Sequence, residues 1–130
     1  MSVAPLLGII DDDPIPQFIM RNAVSVGNIE AELLCYTNGK EAYQNLISLK
    51  NSGNRLPDVL LLDLNMPGWE GWELLDALQS ENLLTAIKVY VLTSSKNPKD
   101  EMRAATYASL AGFIVKPITI EWIKEILSTE

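Results

Sequence analysis

The stretch "LLLDLNMPGWEG", residues 60–71, places three leucines before the carboxylate of Asp63 and then breaks the chain at Met66-Pro67-Gly68. A short apolar run that ends at such a turn signal is typical of a buried strand. A carboxylate at the end of a buried strand costs free energy unless a charged or hydrogen-bonding partner faces it. Asp63 therefore points to a site, and the rest of the chain indicates what surrounds it.

The remainder of the sequence alternates apolar runs with amphipathic helical patterns. Predicted strands cover residues 6–10, 32–36, 59–62, 87–92 and 112–115. Predicted helices cover residues 14–26, 39–50 and 70–80, with two more that begin near residues 98 and 120, and the predicted caps are Asp13, Asn38 and Thr119. Strands that are apolar on both faces and alternate with helices predict an α/β fold, a doubly wound five-stranded parallel sheet with helices on both faces. We expect the flavodoxin-like order 2-1-3-4-5 in a single domain over residues 1–130, with no output domain.

Composition excludes several classes of function. The chain has 130 residues, a net charge of −7, one cysteine and no histidine. The acidic charge disfavours nucleic acid as a partner, and the lack of histidine excludes a Ser-His-Asp triad and histidine metal ligands. No apolar run is long enough for a membrane span and no signal peptide is recognisable, so we expect a cytoplasmic protein without membrane contact. Trp72 and Trp122 fit either helical core packing or a docking surface.

Polar residues follow four of the predicted strands. Asp11 and Asp12 follow the first, Asp63 the third, Thr93 the fourth and Lys116 the fifth. Because the carboxyl ends of parallel strands share one edge, the three aspartates should converge there, flanked by the threonine and the lysine. Crowded carboxylates repel one another, which a divalent cation such as Mg²⁺ relieves. A carboxylate can also act as a nucleophile toward a phosphoryl group. Each residue alone has an ordinary structural explanation, and only their joint occurrence favours a site.

The motifs "IIDDDP", "LLLDLNMPGWEGWELL", "VYVLTSS" and "GFIVKP", in this order, resemble the receiver domain of two-component response regulators. The resemblance implies that Asp63 is the phosphoacceptor, that Asp12 binds Mg²⁺ directly and that Asp11 binds it through water. It implies that the backbone carbonyl of Asn65 is a further metal ligand.

The same resemblance assigns the residues on the last two strands. Thr93 and Lys116 would bind the phosphoryl oxygens, Thr93 and Phe113 would form a switch pair, and Lys116-Pro117 would be a cis peptide. The chain would then be a signalling switch and not an enzyme.

A histidine kinase or a histidine phosphotransfer protein would donate the phosphoryl group, since this chain has no histidine. Output would come from protein–protein interaction through residues 98–129, with an unknown downstream target or with a second copy in a homodimer. The first helix, with Ile15, Phe18 and Met20, would receive the donor.

Three alternatives stay open at this point. The chain could be a phosphorelay carrier or a phosphate sink, which would use the same acceptor. It could be a Mg²⁺-dependent aspartate-nucleophile phosphatase of the haloacid dehalogenase type, although that family has a second aspartate two positions after the nucleophile, where this chain has Asn65. It could be an FMN-binding module, although the acidic first loop would repel a phosphate.

Overall fold

A five-stranded parallel sheet forms the centre of the molecule. The computed structural model describes residues 4–12, 18, 21–22, 25, 31–64, 71–93, 98–107, 109–116 and 118–128. The strands are β1 Leu6–Ile10, β2 Glu32–Tyr36, β3 Val59–Asp63, β4 Lys88–Thr93 and β5 Gly112–Val115. They lie in the order β2-β1-β3-β4-β5, and every neighbouring pair is parallel. The predicted fold class and strand order are confirmed.

Helices cover the sheet. They are α1 Gly39–Ser52, α2 Gly71–Ser80, α3 Leu83–Ala86, α4 Pro98–Ala104 and α5 Ile120–Ser128. The predicted helix over residues 14–26 lies mostly outside the described residues, as does its cap Asp13, but four described positions within it are helical and exposed: Phe18, Arg21, Asn22 and Ser25. None of the helices in the described ranges combines the length and the hydropathy that crossing a bilayer requires.

The caps predicted for two helices are confirmed. The side chain of Asn38 accepts a hydrogen bond from the N–H of Glu41 at 2.7 Å, and the hydroxyl of Thr119 accepts one from the N–H of Trp122 at 3.1 Å. Each bond satisfies an amide of the first helical turn that has no partner within the helix.

One helix boundary differs from the prediction, and one short helix was not predicted. Helix α1 continues two residues beyond Lys50, to Ser52, and is capped by Gly53, whose φ of +73° is the left-handed conformation that suits glycine. The N–H of Gly53 donates to the carbonyls of Leu49 and Lys50. The short helix α3 was not predicted, since its four residues are too few to show a helical period, and the burial of Leu83 and Leu84 anchors it.

The sheet separates two apolar layers. One layer packs against α1, α2 and the segment after α4, and its largest buried side chains include Ile10, Leu46, Leu60, Leu62, Leu74, Leu75 and Leu78. The other packs against α5 and contains Leu7, Ile9, Val59, Leu61, Leu92, Ile123 and Ile126. Alternate residues of each central strand enter opposite layers, which explains why these strands are apolar on both faces. Burial of this apolar area is the main term that stabilises the fold.

Two tryptophans belong to these layers. Trp72 is buried in the first layer and its ring stacks on that of Tyr107, with centroids 6.0 Å apart. Trp122 of α5 is partly buried and meets Tyr90 edge-on at 5.3 Å. Of the two explanations that the sequence allowed, core packing accounts for both residues.

Asp58 ties the strands together at the amino-terminal edge of the sheet. Its carboxylate accepts hydrogen bonds from the N–H of Leu6 at 2.8 Å and from the guanidinium of Arg55 at 2.9 Å. Its own N–H donates to the carbonyl of Leu6 at 2.8 Å, and its carbonyl accepts from the N–H of Lys88 at 3.2 Å. One residue therefore connects the beginnings of β1, β3 and β4.

We predict that Asp58→Ala lowers the free energy of unfolding by about 1–3 kcal/mol, because the buried N–H of Leu6 loses its acceptor. Asp58→Asn keeps an oxygen in that place and should cost less. Chemical denaturation of both variants measures the difference, and equal losses would show that the hydrogen bond to Leu6 does not carry the effect.

Two tyrosine hydroxyls titrate abnormally. Burial raises the pKa of Tyr36 above the usual 10.0, and the charge of Glu41 raises it further. Burial likewise raises the pKa of Tyr107 above 10.0, and Asp76, which accepts a hydrogen bond from this hydroxyl, adds to the increase, whereas Arg103 opposes it. The folded state therefore disfavours ionisation of both hydroxyls.

We predict an alkaline loss of stability that these tyrosines control. The unfolded chain ionises them near pH 10 while the folded chain still holds their protons, so the stabilisation is complete below about pH 10 and is lost as the pH rises through the raised folded values. Unfolding free energies measured from about pH 9 to about pH 11 should fall less steeply for the double variant Tyr36→Phe, Tyr107→Phe than for the wild type. The same slope in both proteins would contradict this prediction.

Candidate functional site

Two buried carboxylates lie side by side at the carboxyl ends of β1 and β3. The register pairs Ile10 with Leu62, so the residues that follow them, Asp11 and Asp63, are neighbours at the edge of the sheet. Their main chains are held in place. The N–H of Asp11 donates to the carbonyl of Tyr36 at 3.1 Å, and Asp63 is the last residue of β3. Both side chains are almost completely shielded from solvent.

Asp12 completes an acidic cluster. One carboxylate oxygen from each of Asp11, Asp12 and Asp63 can be chosen so that all three lie within 4.8 Å of one another, and Asp12 is exposed while the other two are buried. A cluster that is buried at its base and open at one side suits a hard cation that keeps some of its water. Carboxylate oxygens are the donors that Mg²⁺ accepts, and it usually takes one or two of them together with waters. The residues present therefore fit Mg²⁺.

Lys116 partly neutralises this cluster. Its ammonium nitrogen lies 3.3 Å from Oδ2 of Asp11 and 3.4 Å from Oδ2 of Asp63. Because this lysine is only partly exposed, solvent screens the attraction between its ammonium and the two carboxylates less than it screens a surface ion pair. Three carboxylates still outnumber the one ammonium, so the site retains excess negative charge that favours binding of a cation.

Thr93 and Lys116 are joined through their main chains. The N–H of Lys116 donates to the carbonyl of Thr93 at 2.8 Å. Thr93 is fully buried at the end of β4, and the register pairs it with Val115. The predicted phosphoryl-binding residues thus lie together beside the acidic cluster.

Phe113 on β5 faces the same side of the sheet as Thr93 on β4, and it lies two residues before Val115, the residue that pairs with Thr93. It pairs with Val91, and because side chains alternate along a strand, Thr93 and Phe113 both face the layer that packs against α1 and α2. Phe113 is half-buried and packs against that layer. The predicted switch pair is therefore close in space, although its role is not tested by this arrangement.

Gly71 is a site-positioning residue that the sequence reasoning missed. Its N–H donates to the carbonyl of Leu64 at 3.2 Å. A Cβ atom at this position would lie 2.6 Å from Cα of Leu64 and 2.9 Å from the carbonyl oxygen of Asp63. Only glycine lets α2 begin this close to the main chain of Asp63. The glycine is visible in the sequence, but its contact with Asp63 depends on how α2 packs against the end of β3.

Some predicted residues lie outside the described part of the chain. These are Asn65, with its predicted backbone carbonyl ligand, Pro117, with the predicted cis peptide after Lys116, and Ile15 and Met20 of the first predicted helix. Phe18 is described, and its side chain is 71% exposed.

Comparison with known proteins gives consistent matches. The family model of the response regulator receiver domain matches residues 7–128. The chemotaxis protein CheY of Pseudomonas aeruginosa is 35% identical over 94 residues, which are 71% of this chain and 73% of that protein. A protein of Methanothrix harundinacea named "Probable methanogenesis regulatory protein FilR2" is 35% identical over 86 residues, or 66% of this chain, and the matched part is only 55% of that protein.

Solved structures share the whole architecture. The crystal structure of a two component response regulator from Cytophaga hutchinsonii superposes with a TM-score of 0.85 at 27% identity, covering 98% of this chain and 96% of that one. The similarity therefore extends over nearly the whole of both chains and agrees with the receiver fold.

We predict that Lys116→Gln lowers the unfolding free energy of the metal-free protein by about 2–3 kcal/mol, because two buried carboxylates lose their shared cation. Mg²⁺ should then stabilise this variant more than the wild type, since the ion no longer competes with an ammonium. Denaturation with Mg²⁺ and with a chelator measures both effects. Lys124→Gln, which removes the same charge from the exposed surface of α5, is the control. Equal stabilisation of Lys116→Gln and wild type by Mg²⁺ would show that Lys116 does not compensate the cluster.

Proposed function

Because this chain belongs to the family of response regulator receiver domains, we propose that it is a phosphorylation-dependent signalling switch whose phosphoacceptor is Asp63. The resemblance drawn from the four motifs is confirmed by the family match. The geometry that supports an acceptor here is a buried carboxylate beside the Lys116 ammonium and within the acidic cluster, which Asp63 at 3.4 Å shares with Asp11 at 3.3 Å. The receiver-domain motif "LLLDLNMPG" is what favours Asp63 over Asp11.

The donor is a phosphohistidine on another protein, a histidine kinase or a histidine phosphotransfer protein. A carboxylate oxygen of Asp63 attacks the phosphorus atom while the P–N bond of the phosphohistidine breaks. The electron pair of that bond stays on the ring nitrogen of the donor, and an acyl phosphate forms on Asp63. Such a transfer needs mainly positioning and compensation of charge, which the strand ends of a rigid sheet provide.

The remaining site residues bind and orient. Asp12 would hold Mg²⁺ directly, Asp11 through water, and the main-chain carbonyl of Asn65 would be a further ligand. When bound, Mg²⁺ neutralises negative charge on the phosphoryl oxygens. Lys116 would turn from the carboxylates toward one phosphoryl oxygen, and the hydroxyl of Thr93 would donate to another.

Output would use the face formed by α4, β5 and α5, residues 98–129. A phosphoryl group on Asp63 adds charge and strong acceptor oxygens, and Thr93 would move toward them. Phe113, on the same face of the sheet, would then fill the space that Thr93 leaves. The exposed side chain of Met102 on α4, at 71%, lies on this face and suits contact with a downstream protein or with a second copy of this chain.

A phosphorelay carrier or a phosphate sink would share the acceptor chemistry and differ only in output. In either, phosphorylation would leave the face over residues 98–129 unchanged. Amide spectra recorded with beryllium fluoride, a phosphoryl mimic, separate these two functions from the switch.

We predict that acetyl phosphate with Mg²⁺ adds the mass of one phosphoryl group to the protein and that Asp63→Asn abolishes the addition, because an amide is not a nucleophile. Asp12→Asn is the matched variant: it removes a metal ligand and keeps the nucleophile, so labelling should slow and recover at higher Mg²⁺ concentration. Intact-mass spectrometry measures both. Labelling that persists in Asp63→Asn would place the acceptor elsewhere.

A further inference from the structure

A group of four side chains joins α2 to α4 and the turn that follows it. The guanidinium carbon of Arg103 lies 4.6 Å from the ring centroid of Trp72. The ring of Tyr107 stacks on that of Trp72 with an interplanar angle of 11°, and the Tyr107 hydroxyl donates a hydrogen bond to Oδ1 of Asp76. We name these four residues the Trp72 clamp.

The clamp combines three directional contacts between two elements. Trp72 and Asp76 belong to α2, whereas Arg103 is in α4 and Tyr107 lies three residues beyond its end. A cation over a ring, a parallel stack and a hydrogen bond to a carboxylate each favour one relative position of the groups that they join. The two rings are buried, and the two charged residues lie at the surface.

The Trp72 clamp is connected to the phosphoacceptor through the first residue of α2. Trp72 directly follows Gly71, the residue at which α2 contacts the main chain of Asp63 and Leu64. There is no room at this contact for even a methyl group, so a displacement of the main chain of Asp63 must be passed to the start of α2. The first turn of α2 therefore touches the phosphoacceptor at one end and holds α4 at the other.

We propose that the Trp72 clamp holds α4 in the arrangement that belongs to unmodified Asp63, and that phosphorylation loosens it through the contact of Gly71 with the acceptor. The inference rests on the proposed function and adds a second route from the site to the output face, separate from Thr93 and Phe113. It assigns regulatory roles to residues outside the phosphorylation site. A clamp that only packed the core would contribute stability without changing the response to phosphorylation.

Thermodynamic linkage between the clamp contacts and the binding of a phosphoryl group provides a test. Contacts that favour the unmodified form must be weakened when a phosphoryl group binds, so they lower the affinity for that group. Removing them should raise the affinity. Tyr107→Phe removes only the hydrogen bond to Asp76 and keeps the stack, and Arg103→Gln removes only the cation over the ring, so both variants should fold.

The experiment titrates beryllium fluoride into the Mg²⁺-loaded protein and follows the indole N–H signals of the three tryptophans, with that of Trp72 assigned by Trp72→Phe. We expect the apparent affinity to rise about fivefold in each variant. Lys40→Gln, which makes the same charge change as Arg103→Gln at an exposed position of α1, should match the wild type. The Trp72 signal of the wild type should shift on saturation.

Each other outcome overturns the proposal. If the wild type binds beryllium fluoride and both clamp variants bind it with unchanged affinity, the clamp is structural only and the proposed function stands. If the affinity of the clamp variants for beryllium fluoride falls, the clamp stabilises the phosphorylated form instead. If the wild type does not bind beryllium fluoride at all, the proposed function fails and the clamp mechanism fails with it.

Discussion

The ammonium of Lys116 between the carboxylates of Asp11 and Asp63 is the interaction that makes the site compatible with a folded protein. Two buried carboxylates next to each other would repel, and each would also lose its hydration. One cation at 3.3 and 3.4 Å from the two groups offsets both costs in part. The compensation is incomplete because Asp12 adds a third negative charge, and this remaining negative charge would favour binding of a divalent cation.

The geometry of the parallel sheet creates this concentration of charge. Strands β1 and β3 are neighbours inside the sheet, and the strand order reverses between them, which is the position at which sheets of this type form a crevice at the carboxyl ends of the strands. The side chains below the crevice are apolar in both layers. The acidic residues thus stand on a rigid base that cannot relax easily to separate them. At the opposite edge, the hydrogen bonds of Asp58 hold the beginnings of β1, β3 and β4 together. Two lines of contact lead from the site toward α4, one along the face of the sheet that Thr93 shares with Phe113, and the other through Gly71 into the Trp72 clamp. If both lines bias one proposed equilibrium between two arrangements, each needs to contribute only a modest free energy when the gap between the arrangements is small.

The sequence by itself determined the fold class, the strand order and the membership of the acidic site. The period of the apolar residues is a local property, and the topology of parallel sheets is restricted enough that polar residues at strand ends must converge. For this reason Asp11, Asp12, Asp63 and Lys116 could be predicted as neighbours. Features that depend on very short elements or on the conformation of a single residue could not be predicted. Helix α3 is too short to show a period, and the end of α1 depends on the left-handed conformation of Gly53.

Only the tertiary structure decided which residues meet across distant segments. Trp72 and Arg103 are 31 positions apart, and nothing in their local sequence marks them as partners. Gly71 is only a glycine in the first turn of a predicted helix, and its importance comes from the 2.9 Å that would separate a Cβ atom at this position from the carbonyl oxygen of Asp63. Contacts of this kind follow from the packing of whole elements, because the distance between two side chains on different helices depends on every residue that lies between those helices and the sheet.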